Sequence, residues 1–393
     1  MKRSSILAVL GLSGFVVMAD NWVVSPILPS IAKGLGVDPV RAGLLITAYM
    51  IPFGLFQLIF GPLADRFGKR QVITAAMIAF TVGTGLSALG ATLTGLALYR
   101  ALTGAFAASI MPISLALIGD LFPMEERQSA IGTFMGVSFL GQGLSMAIGG
   151  TIAYLVSWRG VFAAYAGLSV IATILLLSVG SRIPSRRNPK SRLLAPFVAL
   201  LTGPASVTTY VVVLLEGILI VGSFSYLGAY IALSYHFDNL IIGLIMTAFG
   251  LMAVLAGRIS GRLAARLGRR TVLMTGLISA CAADAIVFAA GGVLPALIVG
   301  VALLGLGFML AHSSLLTIAT EFAPRARGMA MSLVAFAFMG GGGLGTAIGG
   351  RMVRAGGFAL FYGVYALALA LLVVVALIVV RDVAGSRQQI AAR

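Results

Sequence analysis

The chain has 393 residues, 60% of them hydrophobic and 10% charged, with 50 glycines and a formal net charge of +16. Apolar runs of span length recur from end to end, and no polar stretch is long enough for a soluble domain, so an all-α membrane protein is expected. The charge invites a nucleic-acid partner, but 21 of the 27 Lys and Arg fall on alternate connecting segments, so the basicity is topological and no nucleic-acid partner is expected.

A bilayer core about 30 Å thick needs roughly 20 apolar helical residues per crossing. Twelve crossings are predicted, near 5–32, 42–62, 71–90, 93–121, 129–155, 160–181, 206–234, 240–259, 271–291, 295–320, 329–352 and 357–380. The charge bias places both termini in the cytoplasm of a bacterial-type inner membrane. The basic stretch Ser181–Arg192 divides six spans from six. The expected organisation is an N-terminal bundle over 1–181, a cytoplasmic linker with an interfacial segment over 182–205, and a C-terminal bundle with a short tail over 206–393. The single cysteine, Cys281, permits no intramolecular disulfide and no thiolate metal site, and no metal or cofactor is expected.

Span one opens with two basic residues and an apolar core, as a cleavable leader would. The apolar stretch runs on past Asp20 to Ile31, however, which makes it a first crossing. Asp20, Asn21 and Trp22 lie mid-membrane by count, and span two adds Tyr49 and Gln57 to the groups expected at a cavity.

After span two comes Gly61-Pro62-Leu63-Ala64-Asp65-Arg66-Phe67-Gly68-Lys69-Arg70. Glycines permit a tight reversal between helices, and Asp65 supplies a negative charge for a helix N-terminus, such as that of span eleven, or for an arginine. Residues 261–272 repeat residues 61–72 with seven identities, and 341–350 repeat 141–150 with seven more, all at an offset of 200. Such duplication marks a transporter built from two related helical bundles. The loop resembles the signature of the major facilitator superfamily and matches it at every key position in the first half, whereas Ala265 replaces the aspartate in the second. The resemblance covers the whole chain. It implies two pseudo-symmetric six-helix bundles that rock about a central cavity, without enzymatic activity.

In span four, Arg100 and Gly104 resemble the R-x-x-x-G of the superfamily's drug-exporting branch. An arginine inside a span costs on the order of 2.5–3.5 kcal/mol unless it meets water or a partner. Asp20 is the expected partner, as a proton carrier tuned by Arg100; a structural ion pair or an arginine snorkelling outward are the other readings. Met111 lies further along the span. At its end, Asp120 and Arg127, echoed by Glu321 and Arg327, are expected to face the loops bearing Arg66, Arg70 and Arg266 and to clamp that side. Ordinary helix-end charges are the other reading. Span five keeps Gly132, Gly141, Gly149 and Gly150 of the antiporter motif but has Ser145-Met146 where Gly-Pro stands in that branch. Gln142 is a further cavity candidate.

In span seven, Glu216 lies one turn before the position matching Asp20, with Tyr210, Phe224, Tyr226 and Tyr230 around it. A carboxylate amid aromatics suits a cationic amphiphile; a proton site or a packing hydrogen bond are the alternatives. Asp284 in span nine is expected to be exposed or snorkelling, because the resemblance implies a peripheral span there. His312 in span ten completes the cavity set; a buried neutral histidine that satisfies a neighbouring helix is the other reading. The resemblance implies a monomer that exports small amphiphilic or cationic compounds in exchange for protons, with the proton gradient as the coupling source. An exporter or flippase for a sugar, amino acid, other metabolite or lipid is the alternative.

Overall fold

The computed structural model describes residues 3–180, 200–201, 203–322 and 327–380. Among these, every regular element is helical, as the unbroken apolar runs require of backbone that has no water to bond. Among the described residues, eleven helical stretches are long and apolar enough to cross a bilayer. The last, Gly328–Val379, leaves helical geometry at Gly356 and Gly357 (φ 73° at Gly357) and therefore makes two crossings, spans eleven and twelve. The fold is the expected all-α bundle of twelve spans. Most of the 182–205 linker and the tail beyond residue 380 lie outside the described residues.

Several spans run past their apolar cores. Span two continues as helix to Phe67 and span eight to Leu267, so most of each repeated motif is helical and the reversal is confined to one residue. That residue is Gly68 (φ 101°) in the first copy and Gly268 (φ 83°) in the second, a backbone region L-residues rarely adopt. Gly61, expected to help the turn, sits inside the helix. Span one consists of Arg3–Trp22 and Val24–Leu35, and span seven carries a π-helical turn at Gly217–Val221 immediately after Glu216.

Lipid supplies no hydrophobic drive between helices, so small residues that allow close approach set the packing. Gly104 of span four lies against the Tyr49 backbone of span two, and Gly305 of span ten lies equivalently against Phe249 of span eight. Between the halves, spans five and eight meet at Gly143 against Gly250 and Gly150 against Gly243. Spans two and eleven meet at Gly54 against Phe336 and Gly340. The basic loops after spans two and eight lie at one end of the bundle, here the basic end.

Candidate substrate cavity and buried acids

Between the halves lies a cavity of about 360 Å³. Met18 and Trp22 of span one, Phe53 and Gln57 of span two, Met111 of span four and Gln142 of span five line one side. Phe308, His312 and Phe338 line the other. Gly328 and Met331, at the start of span eleven, carry the cavity toward the basic end. The opposite end is roofed by Trp22, whose ring lies 5.0 Å from Phe224, 5.5 Å from Phe249 and 5.5 Å from Phe308. Among the described residues, Gln57 Oε1 and Gln142 Nε2 are buried without a hydrogen-bond partner, as expected of groups that face a ligand site.

Asp20 and Arg100 meet inside the first half. The guanidinium donates to Asp20 Oδ2 at 2.7 Å and to the Asp20 carbonyl at 3.1 Å, and both side chains are buried. It also lies 4.4 Å from the centroid of the Tyr49 ring, which stacks on Phe53 of the cavity wall. Tyr49 therefore carries the ion pair toward the cavity and does not line it, and neither acid of the proposed proton set is exposed there.

Glu216 is the second buried acid. Its Oε2 lies 3.3 Å from His312 Nδ1, while Oε1 has no partner among the described residues. His312 remains about one-fifth exposed, with Phe338 4.3 Å and Phe308 5.6 Å away between ring centroids. The imidazole thus stands between the carboxylate and the cavity.

The remaining aromatic groups expected at the cavity lie elsewhere. Tyr226 donates to the Thr346 carbonyl at 2.9 Å and lies against Gly43, where it closes the end opposite the basic loops. Ser25 reinforces that closure by donating to the Phe224 carbonyl at 2.8 Å, as does Thr47 to Gly343 at 3.1 Å. Tyr230 packs on Phe358 and Tyr362 inside the second half. Phe224 belongs to the Trp22 roof, and Asn21 and Tyr210 are buried away from the cavity wall. Clustering along one helix hid these differences, because side chains four residues apart share a face but neighbours do not.

The sequence profile of the Major Facilitator Superfamily matches residues 10–238 and again 209–393. This chain belongs to the major facilitator superfamily. It is similar to the uncharacterised MFS-type transporter YceJ of Bacillus subtilis (strain 168), at 28% identity over 86% of this chain and 87% of that one. It is also similar to puromycin resistance protein pur8 of Streptomyces alboniger, at 32% identity over 43% of this chain and 34% of pur8, so that match spans about a third of the relative. A crystal structure of the nucleoside transporter NupG shares the fold, with a TM-score of 0.77 at 14% identity over 95% of this chain and 99% of NupG. The chain is an integral membrane transporter.

The superfamily loop motif is arranged differently from expectation. Asp65 and Arg66 are exposed on the last turn of span two, and among the described residues Asp65 makes no ion pair with span eleven or an arginine. Asp120 pairs with Lys69 at 2.6 Å and Glu321 pairs with Arg269. The basic partners are therefore the first residues after each reversal, not Arg66 or Arg266, because the helical extension carries those outward. Each pair joins helices of one half, so neither clamps the halves together. Arg127 donates to the Phe122 carbonyl at 3.3 Å and caps its own helix junction. Arg70 opens span three and Arg327 opens span eleven, and the side chain of Arg327 lies outside the described residues.

The structure corrects the expectation for Asp284. It is buried, not snorkelling, and accepts from Ser223 of span seven at 2.5 Å. Sequence reasoning missed Phe53, Phe139, Phe308 and Phe338 of the cavity. The spacings Phe53/Gln57, Phe139/Gln142 and Phe308/His312 place each aromatic on the helical face of a polar group, a signal readable in the sequence.

Proposed function

We propose that this transporter exports small amphiphilic compounds in exchange for protons, by alternating access, in a bacterial-type inner membrane with both termini in the cytoplasm. One observation carries the reading: His312, a wall of the cavity, is held by the buried carboxylate of Glu216. A proton taken up by Glu216 from outside weakens its hold on His312, the ring turns into the cavity, and bound substrate is released. Loss of that proton to the cytoplasm restores the pair and the empty cavity. Asp20 is the second carrier, coupled to the wall through Arg100, Tyr49 and Phe53. The resistance protein among the relatives supports export, and the apolar, methionine-bearing wall suits loosely shaped amphiphiles.

The test is proton movement in proteoliposomes carrying a trapped pH dye, challenged with amphiphiles and then with sugars. Substrate-driven proton flux is expected, lost in Glu216→Gln and Asp20→Asn while the melting temperature shows a folded protein. Full coupling in the Asp20→Asn, Glu216→Gln double variant would overturn the mechanism. Gln57→Leu and Gln142→Leu are each expected to raise the apparent KM by about tenfold, the loss of one hydrogen bond in a dry site. Direct transport titration checks this.

A further inference from the structure

Spans five and eight close on each other at one end and part at the other. Gly143 and Gly150 touch span eight at Gly250 and Gly243, but none of the described residues lies within 4 Å of where a side chain would begin at Gly132 or Gly136. The gap is a second cavity of about 570 Å³, floored by Met309, His312, Ser313 and Leu316 of span ten. Its outer rim, Gly136, Val137 and Leu140, is exposed on the flank of a membrane-crossing helix and therefore faces lipid. Met135, Phe139, His312 and Leu316 line both this groove and the central cavity. These four side chains form a wall shared by the groove and the transport site.

The chemistry of the groove is one-sided. Its charged and polar groups are Arg258 at the basic end, Thr133, Ser313 and His312, and among the described residues no Asp or Glu lines it or the central cavity. Glu216 is screened behind His312. Glu125 and Glu126 lie beyond the basic end of the groove, Glu126 at 3.9 Å from Arg3. A permanent cation that entered here would meet Arg258 and, among the described residues, no acidic side chain on the groove wall. The volume falls within the range of about 300–1,000 Å³ usual for drug-sized ligands.

We propose that this groove admits the transport substrate sideways from the bilayer, and that the substrate is an anionic amphiphile, its head at Arg258 and its apolar body along the glycines of span five. The proposal rests on export from the central cavity and deepens it by naming the substrate class. Gly132 and Gly136 supply the room, Arg258 draws the head, and the shared wall of Met135, Phe139, His312 and Leu316 yields to pass the body inward.

The experiment uses the full chain in nanodiscs containing a long-chain fatty acid with a mid-chain diazirine, or an alkylammonium of equal length with the same group. After irradiation, the fatty acid is expected to label segments 132–140 and 253–258, with labelling reduced at least tenfold in Gly136→Phe and unchanged in Gly167→Phe. Gly167 is an equally open glycine on span six, remote from the groove. In proteoliposomes Gly136→Phe should also slow fatty-acid export at least tenfold. Labelling that ignores Gly136→Phe, or avoids both segments, would overturn the groove. Equal labelling by the alkylammonium would overturn the anionic class. Groove labelling with export unchanged in Gly136→Phe would make the occupant a resident lipid and overturn the route. Labelling does not depend on proton coupling, so failure of the antiport reading in Glu216→Gln leaves these outcomes readable.

Discussion

Arg100 and Asp20 illustrate how single residues are held in an apolar interior. Each charge alone is costly there, and at 2.7 Å with a second bond to the Asp20 carbonyl each offsets the other's lost hydration. Removing one partner strands the other, so Arg100→Ala is expected to cost about 3–5 kcal/mol of stability. An Arg100→Leu, Asp20→Leu double variant should regain much of that. Thermal melting in detergent checks both, and a double variant no better than the worse single would deny the pair this role. Asp284 follows the same logic more weakly. Asp284→Ala leaves the Ser223 hydroxyl without its acceptor, at about 1–3 kcal/mol, whereas Asp284→Asn keeps an acceptor and should cost less in the same assay.

At the scale of the element, the repeated motif separates into parts with different duties. Gly68 and Gly268 hold backbone that is essentially reserved for glycine, and Gly68→Val or Gly268→Val is expected to lose about 1–3 kcal/mol. Gly61, in a helix with nothing within 4 Å of a side chain, should accept alanine with a gain of up to about 1 kcal/mol. Parallel melting curves of the three variants check the contrast; equal losses would mean that the motif acts as one rigid turn. The π turn after Glu216 is a second local device. An extra residue in the turn shifts the helical register beside the acid, a feature frequent at functional sites.

For the whole molecule, the two halves form a wedge closed at the end of Ser25, Tyr226 and Thr346 and parted toward the basic loops. The closed end depends on backbone approach at the seam, where Gly150 meets Asn239 and Gly243. Gly150→Val should force that seam apart and shift the population toward opening at this end. In a Cys281→Ser background, a cysteine at position 25 should then react several-fold faster with a membrane-impermeant thiol reagent applied opposite the basic loops. Unchanged labelling would place the seal elsewhere.

Residue order alone determined the number of spans, the duplication and the helical class, and it made Asp20 the expected partner of Arg100. Apolar run length sets a crossing, copied motifs reveal a copied bundle, and an arginine in a span needs water or a partner. Tertiary structure alone decided which faces meet. It moved Tyr226 and Tyr230 away from the cavity, screened Glu216 behind His312, buried Asp284 against Ser223 and matched Asp120 with Lys69. The physical reason is that helix rotation and inter-helix distance follow from small-residue contacts such as Gly143 on Gly250, made between positions more than 100 residues apart, and no local pattern encodes them.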